Sequence, residues 1–157
     1  MVASGTGAVL EELAQALFDT LTQFCLSVPR ARRRAGDLKE LEFLTLSILH
    51  HHDTLIVGDI QRQLGVLPAQ MSRIIRALET RERPLIACRI NPHDKRKIDV
   101  CLTEAGAQAF LEYQAEHVQA LRDLIRHLSD DEREDLVRLL DRMHGVLEQR
   151  LENGNGT

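Results

Sequence analysis

Residues 90–106 read INPHDKRKIDVCLTEAG. The polar stretch NPHDKR holds Asn, Pro and Asp, and it lies between PLIACRI (84–90) and KIDVCL (97–102). Short runs rich in Ile, Val and Cys on both sides of turn residues predict two strands joined as a β-hairpin. The hairpin tip carries Lys95, Arg96 and Lys97. Thr103 and Gly106 mark the switch back to helix.

The segment just upstream, DIQRQLGVLPAQMSRIIRALE (59–79), has the length and turn of a helix-turn-helix. Ile60 and Leu64 sit four apart on its first helix, which Gly65 ends. Pro68 starts the second helix, which runs to about Glu82. Met71, Ile74, Ile75 and Leu78 mark its buried side. Gln70, Ser72, Arg73 and Arg76 are left for its outer faces. Leu55, Ile56 and Val57 form a very short strand ahead of the pair.

Outward from this centre the chain reads as helix. Val9, Leu10, Leu13, Leu17, Leu21, Phe24 and Val28 recur at steps of three and four, predicting an amphipathic helix over 8–28 that Pro29 stops. A basic loop, RARRRAG, follows. Asp37 is the expected cap of a second helix reaching about His52, with Glu40 three residues on. After the hairpin, helices are expected over 104–128 and 130–151, the last opened by a Ser129–Glu132 capping box. The fold class is therefore mainly α with a small β-hairpin wing, a winged helix-turn-helix flanked by long dimerisation helices. The domain plan is a dimerisation helix and basic loop (1–36), a DNA-binding lobe (37–103), C-terminal dimerisation helices (104–152) and a disordered tail (153–157).

Composition fits this plan. The 157 residues are 43% hydrophobic but only 3% aromatic, so the apolar content is mainly Leu, Ile, Val and Ala. Net charge is −4, yet residues 1–52, 53–103 and 104–157 carry nets of −1, +3 and −6. A basic middle between acidic ends can hold an anionic partner on one face. No apolar run reaches the length of a membrane span. The three cysteines, Cys25, Cys88 and Cys101, are far apart and odd in number, which reads as free thiols in a cytoplasmic protein. There is no Gly-rich phosphate loop, no HExxH and no nucleophile with a base, so no enzyme is expected and no cofactor is implied.

A recognition helix fits the major groove of double-stranded DNA, where each base pair presents its own donor and acceptor pattern. Pro68, Gln70 and Ser72 lie near the helix start, where base edges are met, and Arg73 and Arg76 share a face. Arg96 at the hairpin tip suits a narrow minor groove, which attracts arginine, while Lys95 and Lys97 suit phosphates. Helix-turn-helix followed at once by a basic hairpin is stronger than either part alone.

The stretch from Leu64 to Gly106 resembles the MarR family, the multiple antibiotic resistance regulators. The matching pattern is an aspartate, any residue and an arginine in the wing, then a strand ending in Leu-Thr and a glycine: here Asp94, Arg96, Leu102, Thr103 and Gly106. The upstream LGVLPAQMSRIIRALE is similar to the family's recognition-helix segment. The resemblance implies a homodimer joined through its first and last helices, a pseudo-palindromic operator and repression of nearby genes. It also implies that Arg96 enters the minor groove, oriented by a salt bridge from Asp94. Many members release DNA when a small organic compound, a metal or an oxidant acts on them. The chain departs from the family pattern at Val57, Leu67, Pro84 and Cys88.

Three control elements follow as expectations. Cys25, Cys88 and Cys101 are candidate redox sensors, against the commoner role of core filler. The run HHHD (50–53) invites a metal reading, but consecutive helical histidines point apart. A small organic effector between the helices around 10–50 and 107–125 is the family's commonest theme. The rival to DNA binding is a winged-helix protein-interaction module, which needs no basic, groove-directed wing.

Overall fold

A computed structural model describes residues 3–27 and 37–154. The elements are α1 (Ala3–Ser27), α2 (Glu40–His50), β1 (Leu55–Ile56), α3 (Val57–Leu64), α4 (Pro68–Glu79), β2 (Ile86–Ile90), β3 (Ile98–Leu102), α5 (Glu104–Ile125) and α6 (Asp130–Gly154). This is the expected helical fold with a small hairpin wing and long flanking helices. Pro29 and the basic loop lie outside the described residues. The chain divides into two compact units, Met1–Ala115 and Glu116–Thr157.

The first unit owns the core. Leu46 and Leu49 of α2, Ile60 of α3, Met71, Ile74 and Leu78 of α4, Leu85, Ile86, Val100 and Phe110 are all buried together. Burying each such side chain stabilises the lobe by about 1.5–3 kcal/mol. A three-stranded antiparallel sheet of order β1-β3-β2 closes one side. Val100, opposite Cys88, points from the central strand into the core.

Element ends differ from expectation by one to five residues, the largest difference being the start of α1 at Ala3 rather than at residue 8. Val57 opens α3 rather than ending β1. α4 stops at Glu79, and both the amide and the hydroxyl of the next residue, Thr80, donate to the Arg76 carbonyl, at 3.0 and 2.7 Å. The cap of α2 is a correction: it falls at Lys39, not Asp37, and the Lys39 amide donates to the Glu42 carboxylate at 3.1 Å. Glu42 is buried and pairs with Arg81 at 2.7 Å, so an ion pair across 39 residues fixes the capping register. Removing one partner of such a pair costs about 3–5 kcal/mol, because the other charge stays buried.

α5 is anchored to α2 through rings. Phe43 stacks on Tyr113 at 4.2 Å and on Phe110 at 5.5 Å between centroids, and His50 tilts over Phe110 at 4.4 Å. The start of α5 is tied to the strand before β2. The Thr103 hydroxyl donates to the Pro84 carbonyl at 2.6 Å and accepts the Gly106 amide at 3.0 Å, capping the helix.

The second unit is the rest of α5 and α6. Ser129 and Glu132 form the expected capping box, with reciprocal bonds of 2.7 and 3.2 Å. Accepting the Ser129 amide lowers the Glu132 carboxyl below its usual range. Arg133 donates back to the Ile125 and Arg126 carbonyls, covering the end of α5. α6 runs to Gly154, taking in the first two residues of the expected tail. Among the described residues no helix is long and apolar enough to cross a membrane.

Gly106 has no room for a side chain: a Cβ there would lie 1.9 Å from the Leu85 carbonyl oxygen. Gly106→Ala is expected to destabilise the lobe by about 3 kcal/mol or more, read by denaturant titration at fixed protein concentration. An unchanged midpoint would contradict the close approach.

Candidate nucleic-acid interface

α4 divides cleanly by burial. Met71, Ile74 and Leu78 face the core, while Pro68, Gln70, Ser72, Arg73 and Arg76 are all exposed. Pro68 takes the first helical position, where its missing N–H has no intrahelical partner to lose. The Ser72 hydroxyl donates back to the Pro68 carbonyl at 3.0 Å, so only its lone pairs face outward. Among the described residues neither Arg73 nor Arg76 has a carboxylate partner, so both guanidinium groups keep their donors for a ligand.

The wing places its basic residues at an exposed tip. Lys95, Arg96 and Lys97 are exposed and Asp94 is half-buried. The tip is built around Asn91, which the sequence offered only as a turn residue. Its side-chain oxygen accepts the His93 and Asp94 amides, both at 2.9 Å, and its NH₂ donates to Asp99 at 2.8 Å. The Asn91 amide donates to the Lys97 carbonyl at 3.0 Å, and Lys97 returns a bond to the Asp94 carbonyl at 2.9 Å. Asn91 follows the last residue of β2 and Asp99 sits on β3, so the tip is held from both sides.

Asp94 contacts Arg96 at the backbone rather than through the salt bridge that the resemblance implied. Its carboxylate accepts the Arg96 backbone amide at 3.1 Å, and its ion pair goes to Lys97 at 3.8 Å. The Arg96 guanidinium has no partner among the described residues. A backbone bond fixes where the arginine leaves the chain and leaves all five N–H donors available. Arg89, exposed on β2 opposite Asp99, adds a basic group to the wing that sequence reasoning passed over. Its signal was the alternation of the strand, which turns it away from the core.

The start of α4 departs from the usual chemistry. Leu67 holds the N-cap position with extended backbone and no side-chain cap bond. A Ser, Thr, Asp or Asn there stabilises a helix by about 1 kcal/mol. Val66 packs on the core, whereas Leu67 is 74% exposed.

The cysteines are free. Cys25 is exposed; Cys88 and Cys101 are half-buried on paired strands. Cys88 lies opposite Val100 and Cys101 opposite Ala87, so the two thiols point to opposite faces of the sheet. Burial, then the neighbouring Glu79 carboxylate, pushes the Cys88 thiol from 9.0 up to about 11. That weakens it as a redox sensor, because the thiolate is the reactive form. Among the described residues no group of three His, Cys, Asp or Glu side chains is placed to hold a metal ion.

Comparison with known proteins agrees with this geometry. Residues 38–98, from just before α2 to the start of β3, match the MarR family. The chain is 29% identical over 103 residues to the HTH-type transcriptional regulator YdgJ of Bacillus subtilis, covering 66% of this chain and 60% of that relative's length. YusO of Bacillus subtilis shares the fold at a TM-score of 0.67 and 20% identity, over 88% of this chain and 96% of its own. BpsR of Bordetella bronchiseptica, described with regulation of its DNA binding by 6-hydroxynicotinic acid, aligns at 0.61 and 22%, over 85% and 98%. A mutant MarR from E. coli aligns at 0.63 and 20%, over 87% and 94%.

Two outcomes follow from this geometry. Asn91→Ala should loosen the wing tip, raising amide exchange at His93 and Asp94 by roughly tenfold; protection as in the parent protein would contradict the tie. With its pKa two units high, Cys88 should hold about a hundredfold less thiolate at pH 7 than an ordinary thiol, its alkylation accelerating with pH until about 11. Peptide mapping after timed iodoacetamide treatment measures this, and fast labelling of Cys88 at pH 7 would refute it.

Proposed function

We propose that this chain, which matches the MarR-family winged helix-turn-helix regulators, is a homodimeric repressor that binds a pseudo-palindromic operator in the cytoplasm and has no catalytic role. The observation that carries the reading is the unpartnered Arg96 guanidinium at a hydrogen-bonded wing tip, in the same lobe as the exposed polar face of α4. Gln70, Ser72, Arg73 and Arg76 offer donors and acceptors for base edges in the major groove. Pro68 sets the helix start. Arg96 serves the minor groove, and Lys95 and Lys97 serve phosphates, with Asp94 fixing the arginine's backbone.

Dimerisation is supported by apolar rows that a single chain leaves in water. On α1, Leu10, Leu13, Leu17 and Leu21 are 46–63% exposed, and on α6 Leu139, Leu140, Met143 and Leu147 are 47–58% exposed. Apolar stripes of this length are rare on monomers. A two-fold partner would cover them and set two half-sites. A small organic effector fits the ring stack of Phe43, Phe110 and Tyr113, which gathers most of the chain's few aromatic side chains between α2 and α5. BpsR gives a precedent for control by a small aromatic acid.

Arg96→Ala should weaken binding to a selected duplex by about ten- to hundredfold, with the fold and dimer intact. Titrations at several salt concentrations read the phosphate share of the interaction. Adding small aromatic acids to the same titration tests release. Unchanged affinity in Arg96→Ala would favour the protein-interaction module instead.

A further inference from the structure

We propose that Leu67 is a specificity-determining residue that reads the C5 methyl group of a thymine in each half-site. The inference rests on the DNA-binding reading above and adds to it a base identity and a residue.

Leu67 takes no part in the core. Its neighbours Leu64 and Val66 pack there, yet Leu67 stays 74% exposed, the highest value among the large apolar side chains described in the lobe. It also gives up the cap bond that a hydroxyl or carboxylate would make at this position. Local folding therefore offers no reason for leucine here. Its surroundings narrow what it can meet. It stands at the leading end of α4, the end of a recognition helix that approaches base edges. Gln70, Arg73 and Arg76 on the same helix are polar or cationic and exposed, which suits a polyanion rather than an apolar protein surface. On the major-groove edges of DNA, the thymine C5 methyl is the apolar group presented for such contact. A leucine side chain seated on that methyl removes apolar surface of both partners from water.

The probe is the tightest duplex recovered by the full-length protein from a randomised pool, with each thymine replaced in turn by deoxyuridine, which lacks only the methyl. At one symmetry-related thymine, the wild-type protein should lose about fourfold per methyl and about fifteenfold when both half-sites are changed. Leu67→Ala should bind the thymine duplex more weakly by a similar factor and lose nothing further with deoxyuridine. Leu67→Ser restores a helix cap, so it should melt no lower than the parent while showing the same indifference to the methyl. The proposal is overturned if no thymine shows a methyl dependence that disappears with Leu67, even though a specific duplex is bound. If no duplex is enriched at all, the DNA-binding reading falls, and this proposal with it.

Discussion

The root of the wing is fixed where the Gly106 backbone meets the Leu85 carbonyl. A Cβ at Gly106 would fall 1.9 Å from that oxygen, so only glycine lets α5 start this close to the chain entering β2. Thr103 makes the same junction polar. Its amide donates to the Leu85 carbonyl at 3.1 Å, while its hydroxyl bridges Pro84 and the first turn of α5. β3 and α5 are thereby tied to β2, and β2 carries one side of the wing. The Thr-x-x-Gly spacing thus has a mechanical meaning: it sets the root of the wing, while Asn91 and Asp94 set its tip.

Electrostatics work on the same local scale. A net charge of −4 says little about a duplex partner, because charges in water are screened beyond roughly 8 Å at physiological salt. What an anionic partner would meet is the nearest few groups. On the wing those are Lys95, Arg96, Lys97 and Arg89, with Asp94 partly occupied by the Arg96 amide and by Lys97. On α4 they are Arg73 and Arg76. Among the described residues the one ion pair with a buried member, Glu42 with Arg81, serves a different purpose, joining the start of α2 to the segment after α4. It holds α4 at its far end and leaves the exposed arginines uncommitted.

The hairpin and the helix pair were legible because their signals are local: alternation in the strands, spacing in the helices, Gly65 and Pro68 as punctuation. Gly65 indeed takes the left-handed conformation that ends α3, with φ of 63°. The exposure of Gln70, Ser72, Arg73 and Arg76 followed from the same periodicity. What local signals did not carry were contacts between distant residues. The α2 cap moved to Lys39 because Glu42 answers to Arg81. Asn91 became the keystone of the tip because Asp99 returns on the neighbouring strand. Asp94 does meet Arg96, but a two-residue step in a tight turn brings its carboxylate to the backbone amide rather than to the guanidinium.

The two kinds of apolar surface in this chain do separate work. The lobe's buried residues run from Leu46 to Phe110 and make a core without help from a second chain. The exposed leucines of α1 and α6 contribute nothing to that core. The shape of the candidate interface is thus an intrachain property, set by the core, the Gly106 junction and the wing's hydrogen bonds. In the proposed dimer, the spacing between two such surfaces would belong to the helices outside it. This division accounts for Leu67 as well. Leu64 and Val66 beside it pack partly buried against the core, and the apolar side chain left exposed at the front of α4 has its use outside the fold.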